Sequence, residues 1–319
     1  DLDSAMGLLS FGGYCHPRTF NHMILMLDEY RWWDNQFFLE FAPFRTSIRW
    51  GRKIGLTRLV AWLLRKDMSR NALTENNIYT FRTPDYMLST SQAYRPGYGG
   101  DQHHIWQATL DGEAVCFTTH PGGYGDKAPD AYWHGSGYLP QALQYRNVAV
   151  VLYNTPRTPN IVLGQTLDFT HAFFPQARFD AVVMRNGWVF GRKNRGYIAL
   201  YSSSPWHWQT RGDHVDEEIV APGASNAWIV EMGNEAADGS FERFVDRVAN
   251  AAVSITGLKV DYDSPSLGRV RTRWGRGLEV AGKPVSTGDY KRYDNPTCRA
   301  AFGDRAIEIK HNGRSHCLE

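Results

Sequence analysis

Between Val182-Val183-Met184-Arg185 and Trp188-Val189-Phe190 stands a two-residue step, Asn186-Gly187. Both positions of such a turn need positive φ, which Asn and Gly accept at least cost, so the flanking runs are expected to pair as an antiparallel hairpin. Asn194-Arg195-Gly196 is placed to close the next hairpin, and Asp111-Gly112 and Ala281-Gly282 mark two more. Short β-branched or aromatic runs bounded by turn residues recur over 114–119, 147–153, 179–184, 188–191, 197–201 and 227–232, and again over 255–260, 269–274, 278–280 and 306–310. Runs of this length and chemistry predict strands joined by tight turns. One helix interrupts them, with Ser240 as its cap and Phe241, Phe244, Val245 and Val248 as its apolar face.

The first part of the chain has a different period. Residues 19–41 place Phe20, Met23, Ile24, Leu27 and Tyr30, then Phe37, Phe38 and Phe41, at helical spacing, and residues 56–68 repeat the pattern with Leu59, Val60, Leu63 and Leu64. Pro43 breaks the two, and the basic residues Arg45, Arg49, Arg52 and Lys53 between them are expected to form a solvated connection, with a binding patch as the alternative. The fold expected is therefore mainly β: a large antiparallel β-sandwich over 77–319, preceded by a short helical segment over 1–76.

With 35 basic and 33 acidic side chains the formal charge is +2, which gives no electrostatic bias toward nucleic acid or a membrane surface. No apolar run approaches the ~20 residues of a membrane span. The chain begins at Asp1 without a signal-peptide pattern, so a processed chain or a fragment of a longer one is expected. The four cysteines are scattered; only Cys298 and Cys317 are placed to pair, while Cys116, between Val115 and Phe117, reads as a buried thiol. Aromatic residues make up 13% of the chain, a load that serves either β-core packing or platforms for stacking sugar rings or bases.

Titratable groups concentrate over 94–120. A polar, glycine-loosened loop brings Arg95, Asp101, Gln102, His103 and His104 to the start of a strand carrying Trp106, and the return strand ends at His120. In an extended segment His104 and Trp106 share one face, so His103 faces the other way. Either histidine is a candidate general base or positioned donor; with His120 or His134, and a carboxylate such as Asp101 or Asp130, either also enters a weak zinc shell. A second cluster over 120–138 combines dense glycine with Tyr124, Tyr132, Trp133 and Tyr138, the pairing of aromatic walls and close backbone that suits a carbohydrate. A third, Arg269, Arg271 and Arg273, alternates at period two, so all three share a face; acids on the neighbouring strand are the expected partners, and a bound polyanion the alternative. Gly-x-Ser-x-Gly, Walker A, Rossmann and His-Glu-x-x-His motifs are absent from the sequence.

Three stretches carry a family resemblance: 79–89 (Tyr-Thr-Phe-Arg-Thr-Pro-Asp-Tyr-Met-Leu-Ser), 101–108 (Asp-Gln-His-His-Ile-Trp-Gln-Ala), and Gly187-Trp188-Val189-Phe190-Gly191 with 196–201 (Gly-Tyr-Ile-Ala-Leu-Tyr). Together they resemble bacterial proteins of the heparinase II/III-like type, polysaccharide lyases built of an (α/α) toroid followed by an antiparallel β-supersandwich. The resemblance implies that 1–76 is the end of a toroid, that most of the toroid is missing from this chain, and that the sandwich forms one wall of a cleft for an acidic polysaccharide or oligosaccharide. It implies β-elimination beside a uronate carboxylate, with His104, Tyr132 and His134 as catalytic groups. Arg95, Gln102, His103, Trp106, Tyr124 and Trp133 would contact substrate. No cofactor is required, although a structural zinc at His120 and Asp130 is allowed, and a secreted or periplasmic location is favoured. Two other readings stay open: a non-catalytic carbohydrate-binding or structural sandwich, and a glycoside hydrolase using two carboxylates across a cleft.

Overall fold

The computed structural model describes residues 25, 26, 28–31, 34, 43, 45–63, 76–92, 94–97, 104–123, 132, 133, 137–155 and 167–318. The chain divides into two compact units, 1–74 and 75–319.

In the first unit two helices are described, α1 (Arg45–Lys53) and α2 (Leu56–Leu63), joined through Gly55 at φ +78°. The positive φ ends α1 in the way glycine allows at least cost. The basic stretch is thus a helix and not a connection. Its period was hidden because its charges are used in pairs: Arg49 and Arg52 both bind Asp28, and Arg45 Nη1 lies 3.1 Å from Asp34 Oδ1. Most of the helix expected over 19–41, and the end of that over 56–68, lie outside the described residues.

The second unit is mainly β, in a sandwich-like stack of antiparallel sheets. Seven strands form the first sheet: β1 (Asn77–Arg82), β2 (Met87–Gln92), β3 (Trp106–Thr109), β4 (Val115–Thr119), β7 (Phe169–Phe173), β12 (Glu218–Pro222) and β11 (His207–Trp208), in that spatial order. The second holds β5 (Gln141–Tyr145), β6 (Val148–Asn154), β13 (Ser225–Asn234), β10 (Gly196–Ser202), β9 (Trp188–Lys193) and β8 (Ala181–Arg185). A five-stranded meander follows, β14 (Val253–Thr256), β15 (Lys259–Ser264), β16 (Gly268–Arg273), β17 (Leu278–Val280) and β18 (Lys283–Val285). A short meander, β19 (Tyr293–Asp294), β20 (Cys298–Ala300), β21 (Ile307–His311) and β22 (Arg314–Leu318), ends the described chain.

The second sheet is the middle layer, which explains its composition. One face, with Val151, Val189, Leu200, Trp228 and Val230, packs on Leu88, Trp106, Cys116, Ala172 and Ile219 of the first sheet. The other face, with Val150, Trp188, Phe190 and Ile229, packs on helix α4 (Phe241–Ala249), preceded by the short α3 (Glu235–Asp238), and on Val260, Tyr262 and Val270 of the third sheet. Buried on both sides, β6 is apolar from Val148 to Tyr153 without alternation. Alternation is lost wherever neither face meets water. Gly233 lets α4 approach closely, since a Cβ there would stand 2.6 Å from the Phe244 ring.

The turn chemistry holds. Asn186 and Gly187 take φ +50° and +82° between β8 and β9, Ala281 and Gly282 take +48° and +77° between β17 and β18, and Ser240 accepts from Arg243 N at the start of α4. Two expectations fail. The run 255–260 is split by Gly257 at φ +58°, because β14 and β15 pair as an antiparallel hairpin that turns at this glycine. Cys298 and Cys317 are both free thiols, on strands that each pair with β21 and not with one another. Among the described residues no helix is long and apolar enough to cross a membrane.

Candidate functional site

The first sheet's inner face enters the core; its outer face carries the chemistry. Along β4, Cys116 and Thr118 point inward, so Phe117 and Thr119 point out; along β7, Thr170 and Ala172 point inward, so His171 and Phe173 point out. Register puts Phe117 opposite Phe173 and Thr119 opposite His171, while Glu218 of β12 lies diagonal to His171. Phe117 and Phe173 stack at 5.3 Å.

Across these strands runs a chain of hydrogen bonds closed to solvent. Tyr132 Oη donates to Glu218 Oε1 at 2.5 Å, His171 Nδ1 donates to the same oxygen at 2.7 Å, and Thr119 Oγ1 donates to His171 Nε2 at 2.5 Å. Gln209 approaches the other carboxylate oxygen at 3.4 Å. Both His171 and Glu218 are 0% exposed. Burial lowers the pKa of His171, outweighing the pull of Glu218. For Glu218 burial acts to raise the pKa, but the hydrogen bonds from His171, Tyr132 and Gln209 outweigh it and hold the group below the usual carboxylate range. The state is therefore a neutral imidazole against an anionic carboxylate, with the imidazole tautomer fixed by Thr119 and Glu218.

Tyr132 and Trp133 close the site from above. The Trp133 ring stacks on His171 at 4.2 Å with 5° between planes, and Tyr132 stacks on His214 at 5.6 Å. Trp133 Nε1 donates to His214 Nε2 at 3.1 Å, while His104 Nε2 lies 2.9 Å from the Trp133 carbonyl and its ring stacks on Phe117 at 4.2 Å. Three imidazoles thus surround one indole. His171 is sealed, whereas His104 is exposed and His214 half-exposed.

Of the residues singled out from sequence, His104, Tyr132 and Trp133 come together here. Trp106 does not: it is 2% exposed on the inner face, with Nε1 donating to Thr118 Oγ1 at 2.8 Å, so it anchors the core and contacts no substrate. His120 is not a metal ligand. Its Nδ1 accepts from Tyr138 N at 3.0 Å and its Nε2 donates to Leu167 O at 2.7 Å, which leaves neither nitrogen a lone pair for zinc. Burial moves its pKa down to about 4. Gly137 packs so closely on His120 that a Cβ would stand 2.0 Å from Nδ1. Arg95 sits in a turn at φ +47°, two residues before Gly97, whose N–H donates to Leu139 O. Gln102, His103, Tyr124, Asp130 and His134 lie outside the described residues. Among the described residues no three His, Cys, Asp or Glu side chains are placed to hold a metal ion.

The arginine stripe is a solvated face paired with acids. Arg269 binds Asp261 through two hydrogen bonds of 2.7 and 2.5 Å, and Arg271 binds Glu279. The residues that sequence reasoning missed are His171, Glu218, His214 and Gln209. The one signal available was Phe169-Thr170-His171-Ala172-Phe173, in which a histidine alternates with two phenylalanines.

Compared with known proteins, the chain matches no family model, no curated protein and no solved structure.

Proposed function

We propose that the β unit forms one wall of a cleft in which a uronic-acid polysaccharide is cleaved by β-elimination, the activity implied by the resemblance to heparinase II/III-like lyases. One observation supports this reading above the others: an exposed imidazole, His104, held beside the half-buried Trp133 and over a sealed Tyr132–Glu218–His171 chain. An aromatic side chain next to a fixed imidazole is the pairing that receives a sugar ring and removes a proton from it.

In this reading His104 is the base. Nε2–H donates to the Trp133 carbonyl, which fixes the tautomer and makes Nδ1 the basic nitrogen of the ring. Nδ1 accepts the proton beside the uronate carboxylate, a ring double bond forms, and the bond to the leaving glycosidic oxygen breaks. That oxygen takes up a proton from solvent as the bond breaks. Tyr132 is a positioning residue here and not the acid, because its proton is committed to Glu218 and its hydroxyl is sealed below Trp133. Glu218 and His171 act by fixing Tyr132 and the plane of Trp133.

Incubation with hyaluronan, heparin, alginate and glucuronan, following the ultraviolet absorbance of an unsaturated uronate, tests the proposal. A rise with one substrate, lowered about 100-fold in His104→Ala, is the expected result. Binding without a rise in absorbance replaces it with the carbohydrate-binding module. New reducing ends without absorbance replace it with hydrolysis.

A further inference from the structure

A second cleft, sharing no residue with the His104 cluster, opens where the β1–β2 and β5–β6 turns meet α3, α4 and the β15–β16 turn. Its volume is about 380 Å³, within the range of small-ligand sites. Phe81, Tyr86, Arg146, Asn147, Asp238 and Arg247 define its chemistry.

The positive charge is not fully used. Arg247 Nη1 lies 3.2 Å from Asp238 Oδ1, and the other Asp238 oxygen accepts from Asn234 N, so that carboxylate is satisfied. Arg146 has no carboxylate partner among the described residues. Its guanidinium lies 5.4 Å from the centre of the Phe81 ring, a contact that orients a cation without neutralising it. The backbone of Arg146 takes φ +49°, a conformation an arginine occupies at a cost, at the first position of a two-residue hairpin. Asn147 fixes that hairpin from behind by donating to Met232 O at 2.7 Å and Ser266 Oγ at 2.9 Å. The cleft also holds a donor. Tyr86 is 7% exposed, and its hydroxyl makes no hydrogen bond to the protein among the described residues. Burial, with Asp238 nearby, pushes that hydroxyl up to about 12, so it stays protonated.

We propose that this cleft binds a monoanionic sugar acid, a hexuronate unit, with Arg146 gripping the carboxylate and Tyr86 donating to a ring hydroxyl or ring oxygen. Arg247 is held by Asp238, and Asp85 and Glu231 also act on the Tyr86 hydroxyl, so the cation left to a ligand is Arg146 alone, which one carboxylate matches. A phosphate dianion would instead place uncompensated negative charge beside Asp238. The choice of a sugar acid, and not another carboxylate of this size, rests on the acidic-glycan reading above. The site would then hold a glycan segment remote from the bond being cleaved.

Ligand-observed NMR titration of the full chain with sodium glucuronate, with glucose and inorganic phosphate as controls, tests this directly. Glucuronate should bind saturably, glucose and phosphate should not compete at equal concentration, and Arg146→Gly and Tyr86→Phe should each weaken binding about tenfold or more. Arg146→Gly suits the positive φ, so an unchanged melting temperature is expected to accompany the loss. Absence of saturable binding, equal competition by glucose or phosphate, or unchanged affinity in Arg146→Gly overturns the proposal. Because this reads binding of a monosaccharide, it can fail while the lyase assay succeeds, or succeed while that assay fails.

Discussion

The two faces of the seven-stranded sheet hold polar groups for different ends. On the inner face Thr118 and Thr170 serve indoles: Trp106 Nε1 donates to Thr118, and Trp228 Nε1 to Thr170 at 3.0 Å. These groups never change charge. They let large aromatic residues fill a sandwich core without leaving a buried N–H unpaired. On the outer face the polar groups are Thr119, His171 and Glu218, and the aromatic residues lie over them as a lid. A sandwich needs the first arrangement for packing. The second hides a carboxylate and an imidazole at the same burial, which packing alone does not require. That contrast is the physical reason to look for function on the outer face.

The largest test of the contrast is removal of Glu218. Glu218→Ala leaves the Tyr132 hydroxyl and the His171 Nδ1–H buried without an acceptor, and should cost about 3 to 5 kcal/mol in denaturant unfolding. Thr118→Val is the matched change on the inner face. It unpairs Trp106 Nε1 and breaks the contact with Tyr153 Oη at 3.0 Å, and should cost about 1 to 3 kcal/mol. If the two variants unfold at the same denaturant concentration, the outer cluster is no more committed than the inner one and the contrast fails.

Acid sharpens the comparison, because the outer cluster and the adjoining His120 hold buried groups whose pKa values are lowered in the folded state. His120 has a folded pKa of about 4 against an ordinary value of 6.5, so burial disfavours its charged form. A group depressed in the folded state contributes fully above the unfolded pKa. Its contribution is lost as pH falls from 6.5 toward 4, and amounts to about 3 kcal/mol over that window. His171 is shifted down for the same cause, and Glu218 is also lowered, so both add acid sensitivity of the same sign. Unfolding curves from pH 7 to pH 4 should show stability falling steadily, and His120→Asn, which keeps an acceptor for Tyr138 N–H, should flatten the upper part of that fall. A pH-independent parent chain would show that these imidazoles are hydrated in solution.

How far the sequence exposed this arrangement follows from which residues alternate. Turn residues with positive φ announced the hairpins of β8–β9 and β17–β18, because Asn186, Gly187 and Gly282 are chemically unlike the strands around them. The strands β7 and β12 announced little, β7 only through a histidine set between two phenylalanines. Both faces of β7 are buried, so Phe169, Thr170, His171, Ala172 and Phe173 show no alternation of apolar and charged residues from which to infer a strand, and Glu218 follows Asp216 and Glu217 in what reads as an acidic loop. His104, Tyr132 and Trp133 were visible as residues of the right kind in a glycine-rich region. Their partners come from positions 171 and 218, which only sheet register brings within reach, and from His214 in the turn before β12. His120 misled for a related reason: a histidine at a strand end looks available until the backbone at Tyr138 and Leu167 is seen to occupy it.

The smallest expected effect lies on the third sheet and completes the contrast. Arg269 and Asp261 form a better ion-pair geometry than anything in the outer cluster, two parallel bonds of 2.7 and 2.5 Å, yet the arginine is 57% exposed. Water already solvates both partners in the unfolded chain and in the folded one, so the pair gains little by forming. Arg269→Ala should therefore leave the unfolding midpoint close to that of the parent chain, and closer still at high salt. Geometry alone would rank this pair above the bond from Tyr132 to Glu218; exclusion of water reverses the order. A cost for Arg269→Ala equal to that of Glu218→Ala would mean that bond geometry, and not burial, sets the value of polar contacts in this sandwich.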